Sequence, residues 1–161
     1  MSAKAIPQGF HTLTPSIVCK NANRAIEFYK EVFHAKEKER MTTPGGLIMH
    51  AELLIGDSVL MLCDEMPGMA SAPAPGDNPP SHSLFIYLDN VDATFQRAVQ
   101  SGGKIEMPLE NQFWGDRYGK VRDPFGHVWG LAQHVEDVPP EEMKRRSEAF
   151  AEKQRSKAAT T

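Results

Sequence analysis

The sequence predicts an α+β fold: two βαβββ modules forming a curved mixed sheet around a cleft, followed by a C-terminal helical tail. Three observations predict it. Short runs rich in aliphatic and aromatic residues alternate with two amphipathic helical patterns, in the order βαβββ twice over. A Pro-rich stretch with Pro67, Pro73, Pro75, Pro79 and Pro80 separates the two halves. The halves also agree position by position. Asn21 and Asn90 each follow a strand and open a helix, Ile17 matches Ile86, and Asp57–Leu62 matches Gly126–Leu131.

Residues 1–11 read as an irregular leader. Leu13–Cys19 alternates as a strand, with Pro15 placing it at an edge or a strand start. Ala22, Ala25, Ile26, Tyr29, Val32 and Phe33 recur at helical spacing after Asn21. Lys36–Thr42 is a polar edge strand, and Gly45-Gly46 turns the chain. Leu47–Ile55 and Ser58–Cys63 are strands joined at Gly56-Asp57.

The second half repeats this order. Ser83–Leu88 is a strand, and Val91, Phe95, Ala98 and Val99 give one face of a helix that Gly102-Gly103 ends. Lys104–Met107 is a short strand. Tyr118–Arg122 and a last strand from His127 to near Gln133 flank Asp123-Pro124-Phe125-Gly126, a turn with Pro and Gly where turn geometry wants them. Val138-Pro139-Pro140 starts a charged helix from Glu141 to about Lys157. Its apolar positions are sparse, so it is solvated or packs only at its start. The chain thus divides into a leader (1–11), one domain (12–136) and a tail (137–161). Modules 12–64 and 82–134 make up the domain, joined by the linker 65–81.

The totals narrow the function. A chain of 161 residues can hold one well-cored domain. Its net charge of −3 argues against nucleic acid or an anionic membrane as the main partner. The basic residues are scattered apart from Lys144-Arg145-Arg146. No apolar run approaches the roughly 18–20 residues of a spanning helix. The first residues lack the apolar core of a secretory signal. Cys19 and Cys63 do not make a disulfide framework, and they read as reduced thiols of a cytoplasmic protein.

The two modules, the helix ending Glu27-Phe28-Tyr29, and Asp123-Pro124-Phe125-Gly126-His127 before the last strand resemble the vicinal oxygen chelate superfamily. This is the glyoxalase, bleomycin-resistance and extradiol dioxygenase group. Ile55-Gly56-Asp57-Ser58, Phe113-Trp114-Gly115-Asp116-Arg117-Tyr118-Gly119 and Trp129 look like its PhnB-like, glyoxalase-related members. The resemblance spans roughly Thr12 to Glu136. It implies a homodimer and a U-shaped sheet enclosing a ligand cleft. It also implies a divalent metal held by His, Glu or Gln from the first and last strand of each module. Carried over through the helix-start asparagine and the hairpin turn, those positions are Thr14, Met61, Ser83 and Gly130. None is an effective ligand for zinc or nickel, so the sequence predicts no metal and no cofactor. A one-residue shift would place His82 near the third position, but against strand alternation.

In the carried-over register Met61, Phe85, Tyr87, Val128 and Gly130 face the cleft, and Thr14 and Ser16 add hydroxyls. Together they describe an apolar pocket with few polar groups, as small-molecule sites usually are. The alternative is that these side chains pack together and close it. His50 and Glu52 share a strand face, either as a general base with its partner or as a solvated face. Trp114, Asp116, Arg117 and Tyr118 form a possible lid, with Arg117 for an anionic or carbonyl group and Trp114 for a planar one. The alternative there is an Asp116–Arg117 contact with Trp114 as a local anchor. His127 is expected to be exposed in its turn. A Cys63 nucleophile would need a neighbouring base that the sequence does not supply.

These readings combine into a metal-independent, glyoxalase-like protein binding a small organic molecule between its modules. One alternative is a lyase or isomerase using His50, Glu52 or Tyr118 in place of a metal. Others are a dioxygenase-type metalloenzyme of the same superfamily and a drug-sequestering protein of the bleomycin-resistance type.

Overall fold

The computed structural model describes residues 3–73 and 81–158. Pro75, Pro79 and Pro80 of the predicted linker lie outside the described residues. The first module runs β1 (Ser16–Cys19), α1 (Ala22–Phe33), β2 (Lys36–Thr42), β3 (Ile48–Ile55) and β4 (Ser58–Asp64). The second runs β5 (Leu84–Tyr87), α2 (Val91–Gln100), β6 (Lys104–Asn111), β7 (Asp116–Arg122) and β8 (Val128–His134), and α3 (Pro140–Ala158) follows. Each module has one four-stranded mixed sheet, ordered β1-β4-β3-β2 and β5-β8-β7-β6. Among the described residues the two sheets share no backbone ladder.

The repeat extends to strand register and to helix caps. Ser16 pairs with Met61 and Phe85 with Gly130, so the two parallel ladders are in the same phase. Asn21 and Asn90 accept hydrogen bonds from the N–H groups of Arg24 and Ala93. The Asp64 carboxylate accepts from the Ala22 N–H at 2.7 Å, and the Gln133 amide oxygen accepts from the Val91 N–H at 3.2 Å. Each helix thus has two of its otherwise orphaned amide groups satisfied by repeat-equivalent side chains.

Several boundaries move from the sequence reading. β1 starts at Ser16 rather than Leu13, because Pro15 has no N–H and contributes only its carbonyl, which accepts from the Met61 N–H. β6 runs on to Asn111 instead of stopping at Met107. Its register shifts between Ile105 and Glu110 let an edge strand carry Pro108. β7 begins at Asp116 and β8 continues to His134.

One apolar cluster joins both modules. α1 buries Ala22, Ala25, Ile26, Tyr29, Val32 and Phe33, and α2 buries Val91, Phe95 and Ala98. The modules meet through α1. Tyr29 donates to the Asp123 carboxylate at 2.6 Å, and Phe33 and Tyr29 pack on Trp129 with ring centroids 4.6 and 5.3 Å apart. The Arg97 guanidinium donates to the Val32 carbonyl.

His127 is buried, contrary to the expectation from its place in a turn. The Asp123 carboxylate holds its N–H, and its Nε2 faces the Val18 carbonyl at 3.0 Å, which it meets as donor. A turn that would be solvated in an isolated module is here covered by β1. Cys19 and Cys63 are both free. α3 packs through its first half: Arg146 pairs with Glu136 and Glu142, and the Phe150 ring lies 5.1 Å from that of Phe113.

Candidate binding face

Strand alternation decides which side chains of the second sheet face α2 and which face away. Phe95 of α2 lies against Gly119, so Tyr118 and Asp116 point to the opposite, open face. Register extends that face: Tyr118 pairs with Ala132, Asp116 with His134, Phe85 with Gly130 and Tyr87 with Ala132.

Four aromatic rings gather there. Phe85 stacks on Tyr118, with centroids 5.3 Å apart and planes at 15°. Tyr87 leans on Phe85 at 5.1 Å, and Trp114 meets Tyr118 edge-on at 5.8 Å. Phe85 and Tyr87 are 51% and 61% exposed, unusual for large rings that already have aromatic neighbours. Gly130 makes the stack possible. A Cβ there would stand 2.9 Å from the Tyr118 ring and 3.1 Å from Phe85.

Asp116 lies beneath the edge of this cluster, 4% exposed. One carboxylate oxygen accepts from Trp114 Nε1 at 3.0 Å and from the Tyr87 hydroxyl at 3.1 Å. The other faces His134 Nδ1 at 2.8 Å. His134 Nε2 faces Asp137 at 3.0 Å. Hydrogen bonds to Asp137 and then Asp116 hold the imidazole above its ordinary value. Burial, followed by the hydrogen bond to Asp116, pushes the Tyr87 phenol up. Gly115 fixes the approach of this loop to the chain after β8. Its carbonyl accepts from the Val135 and Glu136 N–H groups, and a Cβ on it would collide with the Glu136 carbonyl.

Of the residues expected at a site, the fold brings Phe85, Tyr87, Trp114 and Tyr118 together. Arg117 goes elsewhere. It faces the α2 side, donating to Asp92 at 2.6 and 2.8 Å and to Asn111 at 3.2 Å. It neither contacts Asp116 as a structural partner nor reaches over the aromatic rings. With the strand starting at Asp116, alternation places residues 116 and 118 on one side and 117 on the other.

A second group lies on the first sheet, where Ser16, Met61 and Glu52 stand side by side in register. His50 Nε2 is 3.3 Å from Glu52, which also pairs with Lys38 at 3.5 Å. Thr14 donates to the His11 carbonyl. The contacts joining the modules run through α1 and through His127 on the Val18 carbonyl of β1. A crevice of about 490 Å³ lies between β5 and the first module, lined by Pro15, Phe33, Leu60 and Trp129 and also by Phe85 and Tyr87, so it adjoins the aromatic face.

His134 and Asp137 escaped the sequence reading, as did the central position of Asp116. Counting outward from the turn through the Arg122–Val128 pair would have set Asp116 opposite His134. Ending the strands too early hid it.

The positions where metal ligands would be expected do not offer a donor set. Thr14 is turned to a carbonyl, Met61 is a thioether, and Ser83 is exposed before β5. The space over Gly130 is filled by aromatic rings. Among the described residues no three His, Cys, Asp or Glu side chains converge on a point. Asp116 and Asp137 sit at opposite nitrogens of His134 and so cannot share an ion with it.

Residues 9–131 match the sequence profile of the Glyoxalase/Bleomycin resistance protein/Dioxygenase superfamily. The chain belongs to this superfamily. An uncharacterized protein of Mycobacterium bovis is 40% identical over 136 residues, covering 82% of this chain and 89% of that one. Among solved structures, TioX from Micromonospora sp. ML1 superposes with a TM-score of 0.62 at 25% identity, covering 78% of this chain and 99% of its own. The PhnB protein of Bacillus cereus superposes with a TM-score of 0.61 at 20% identity, covering 76% and 99%, a likeness of fold. The second module of this chain carries its aromatic face around Gly130. Among the described residues no helix is long and apolar enough to cross a membrane.

Proposed function

We propose that this glyoxalase-superfamily chain is a metal-independent protein that binds a small, planar organic molecule on the open face of its second sheet. The observation that carries this reading is the aromatic group Phe85, Tyr87, Trp114 and Tyr118, with Phe85 and Tyr87 open to solvent, set around the buried carboxylate of Asp116. Small-molecule sites combine such apolar surface with a few fixed polar groups. The Tyr118–Phe85 stack in the space over Gly130 supports binding without a metal.

The same features support a homodimer. Phe85 and Tyr87 lie more than half open to solvent in the single chain, and the crevice they line is open to solvent as well. A second copy can cover these rings. The two free thiols fit a reducing compartment such as the cytoplasm.

A thermal-shift screen with planar heteroaromatic compounds tests the reading, because a ligand that binds only the folded state raises the melting temperature. Stabilisation of the wild type that is lost in Phe85→Ala is expected. Equal stabilisation of both proteins would place binding elsewhere. Elemental analysis of the purified protein checks the rest: a stoichiometric divalent metal would overturn the metal-independent part.

A further inference from the structure

The aromatic face ends in two groups that stacking alone does not require. Asp116 is almost fully buried yet takes three hydrogen bonds, from the Tyr87 hydroxyl, Trp114 Nε1 and His134 Nδ1. The bond to Nδ1 orients the imidazole and leaves Nε2 as its outer nitrogen. His134 is half exposed, and the group facing Nε2 is Asp137, whose side chain is fully exposed. An exposed pair of this kind is worth little, so Asp137 can turn to solvent and clear the nitrogen. The next carboxylate, Glu136, is held by Arg146 of α3.

We propose that Asp116 and His134 form a proton-transfer pair for a planar unsaturated molecule lying against Phe85 and Tyr87, the exposed rings of the face. His134 Nε2 takes the proton, and Asp116 is the positioning residue behind it. This rests on the binding reading above. A buried carboxylate behind an imidazole fixes its tautomer and stabilises the imidazolium that forms. The step requires an acidified C–H bond in the ligand. The C–H bond breaks, Nε2 gains the proton, and the electron pair stays on the ligand as an enolate or leaves with a leaving group. Return of the proton to a second carbon is an isomerisation, and loss of the leaving group is an elimination.

The test uses a nitro-substituted benzisoxazole, a flat probe whose elimination needs only a base. Nε2 takes the ring C–H proton, the nitrile forms, the N–O bond breaks and the electron pair leaves on the phenolate oxygen. The probe is titrated against the full chain, following both saturation and rate of phenolate release. Wild type should saturate and turn over about 100-fold faster than His134→Gln, the lower range of general-base effects. Its rate should rise with pH as His134 loses its proton. Asp116→Asn should lower the rate and move that midpoint down, a change that a purely structural role would not produce. Saturation with equal rates in wild type and His134→Gln would overturn the proton-transfer pair and leave the binding reading standing. Absence of saturation in the wild type would overturn both. A midpoint unmoved in a folded Asp116→Asn variant would overturn the role of Asp116.

Discussion

Tyr118 lies across Gly130, so close that a Cβ at residue 130 would stand 2.9 Å from its ring and 3.0 Å from its hydroxyl. Tyr118 is 8% exposed and stacked on Phe85, so it has little room to give. Gly130→Ala should therefore destabilise the fold by about 1–3 kcal/mol through overpacking and disturb the aromatic face. Denaturant unfolding measures the first effect. An unchanged midpoint would mean that the stack is loose.

Tyr29 and Asp123 tie the modules together. The Asp123 carboxylate accepts from Tyr29, from Trp129 Nε1, and from the N–H groups of Phe125 and His127. Tyr29→Phe removes one donor from a buried charge while keeping the ring, and should cost about 1–3 kcal/mol. Chemical denaturation followed by Trp fluorescence would show it, since Trp129 reports on the same contact. No loss of stability would mean that the other three donors suffice.

The two thiols should differ in reactivity. Burial, and then the nearby Asp123 and Asp64 carboxylates, push Cys19 up to about 12. Cys63 is also raised by burial but is only partly covered. Thiolate is the reactive form. A disulfide reagent at mildly alkaline pH should modify Cys63 slowly, and Cys19 only when the protein unfolds. Mass mapping of the modified residue decides between the two, and fast labelling of Cys19 in the native protein would contradict the packing of β1 under α1.

His134 should make stability depend on pH with a definite sign. Its folded value is raised above the ordinary 6.5, first by Asp137 and then by Asp116. A raised value means that the folded state binds the proton more tightly than the unfolded chain. The contribution is therefore complete below about pH 6.5 and is lost as pH rises through the higher folded value. The melting-temperature difference between wild type and His134→Gln should shrink across that interval. A difference that grew with pH would mean that the imidazole is held neutral.

What was legible in the sequence was local. Asn21 and Asn90 cap their helices through N–H groups three residues on, and the alternation of β3 and β4 sets their faces without help from elsewhere. Phe85 and Tyr87 share a face by strand alternation alone, whereas Tyr118, read as part of a lid with Trp114, Asp116 and Arg117, joins them only through the β7–β8 and β5–β8 ladders. Long-range partners were not legible. Arg117 meets Asp92 across the second module, and His127 meets Val18 across the module boundary. Neither pairing has a signal in nearby residues. Asp116–His134 is intermediate: it follows from the hairpin register once both strands are given their full length.

Phe85 and Tyr87 belong both to the aromatic face and to the crevice that runs back to Trp129, so the binding reading turns on which end a ligand occupies, the Trp114 end or the Trp129 end. The chain has 2 tryptophans, and their indole N–H groups report on these two places. Trp114 Nε1 donates to Asp116 at the face, and Trp129 Nε1 donates to Asp123 in the core. A proton–nitrogen correlation spectrum, assigned with Trp114→Phe and titrated with the benzisoxazole probe, reads both at once. Binding on the aromatic face should give a saturable shift of the Trp114 indole signal with Trp129 unmoved. A shift of the Trp129 signal alone would contradict it.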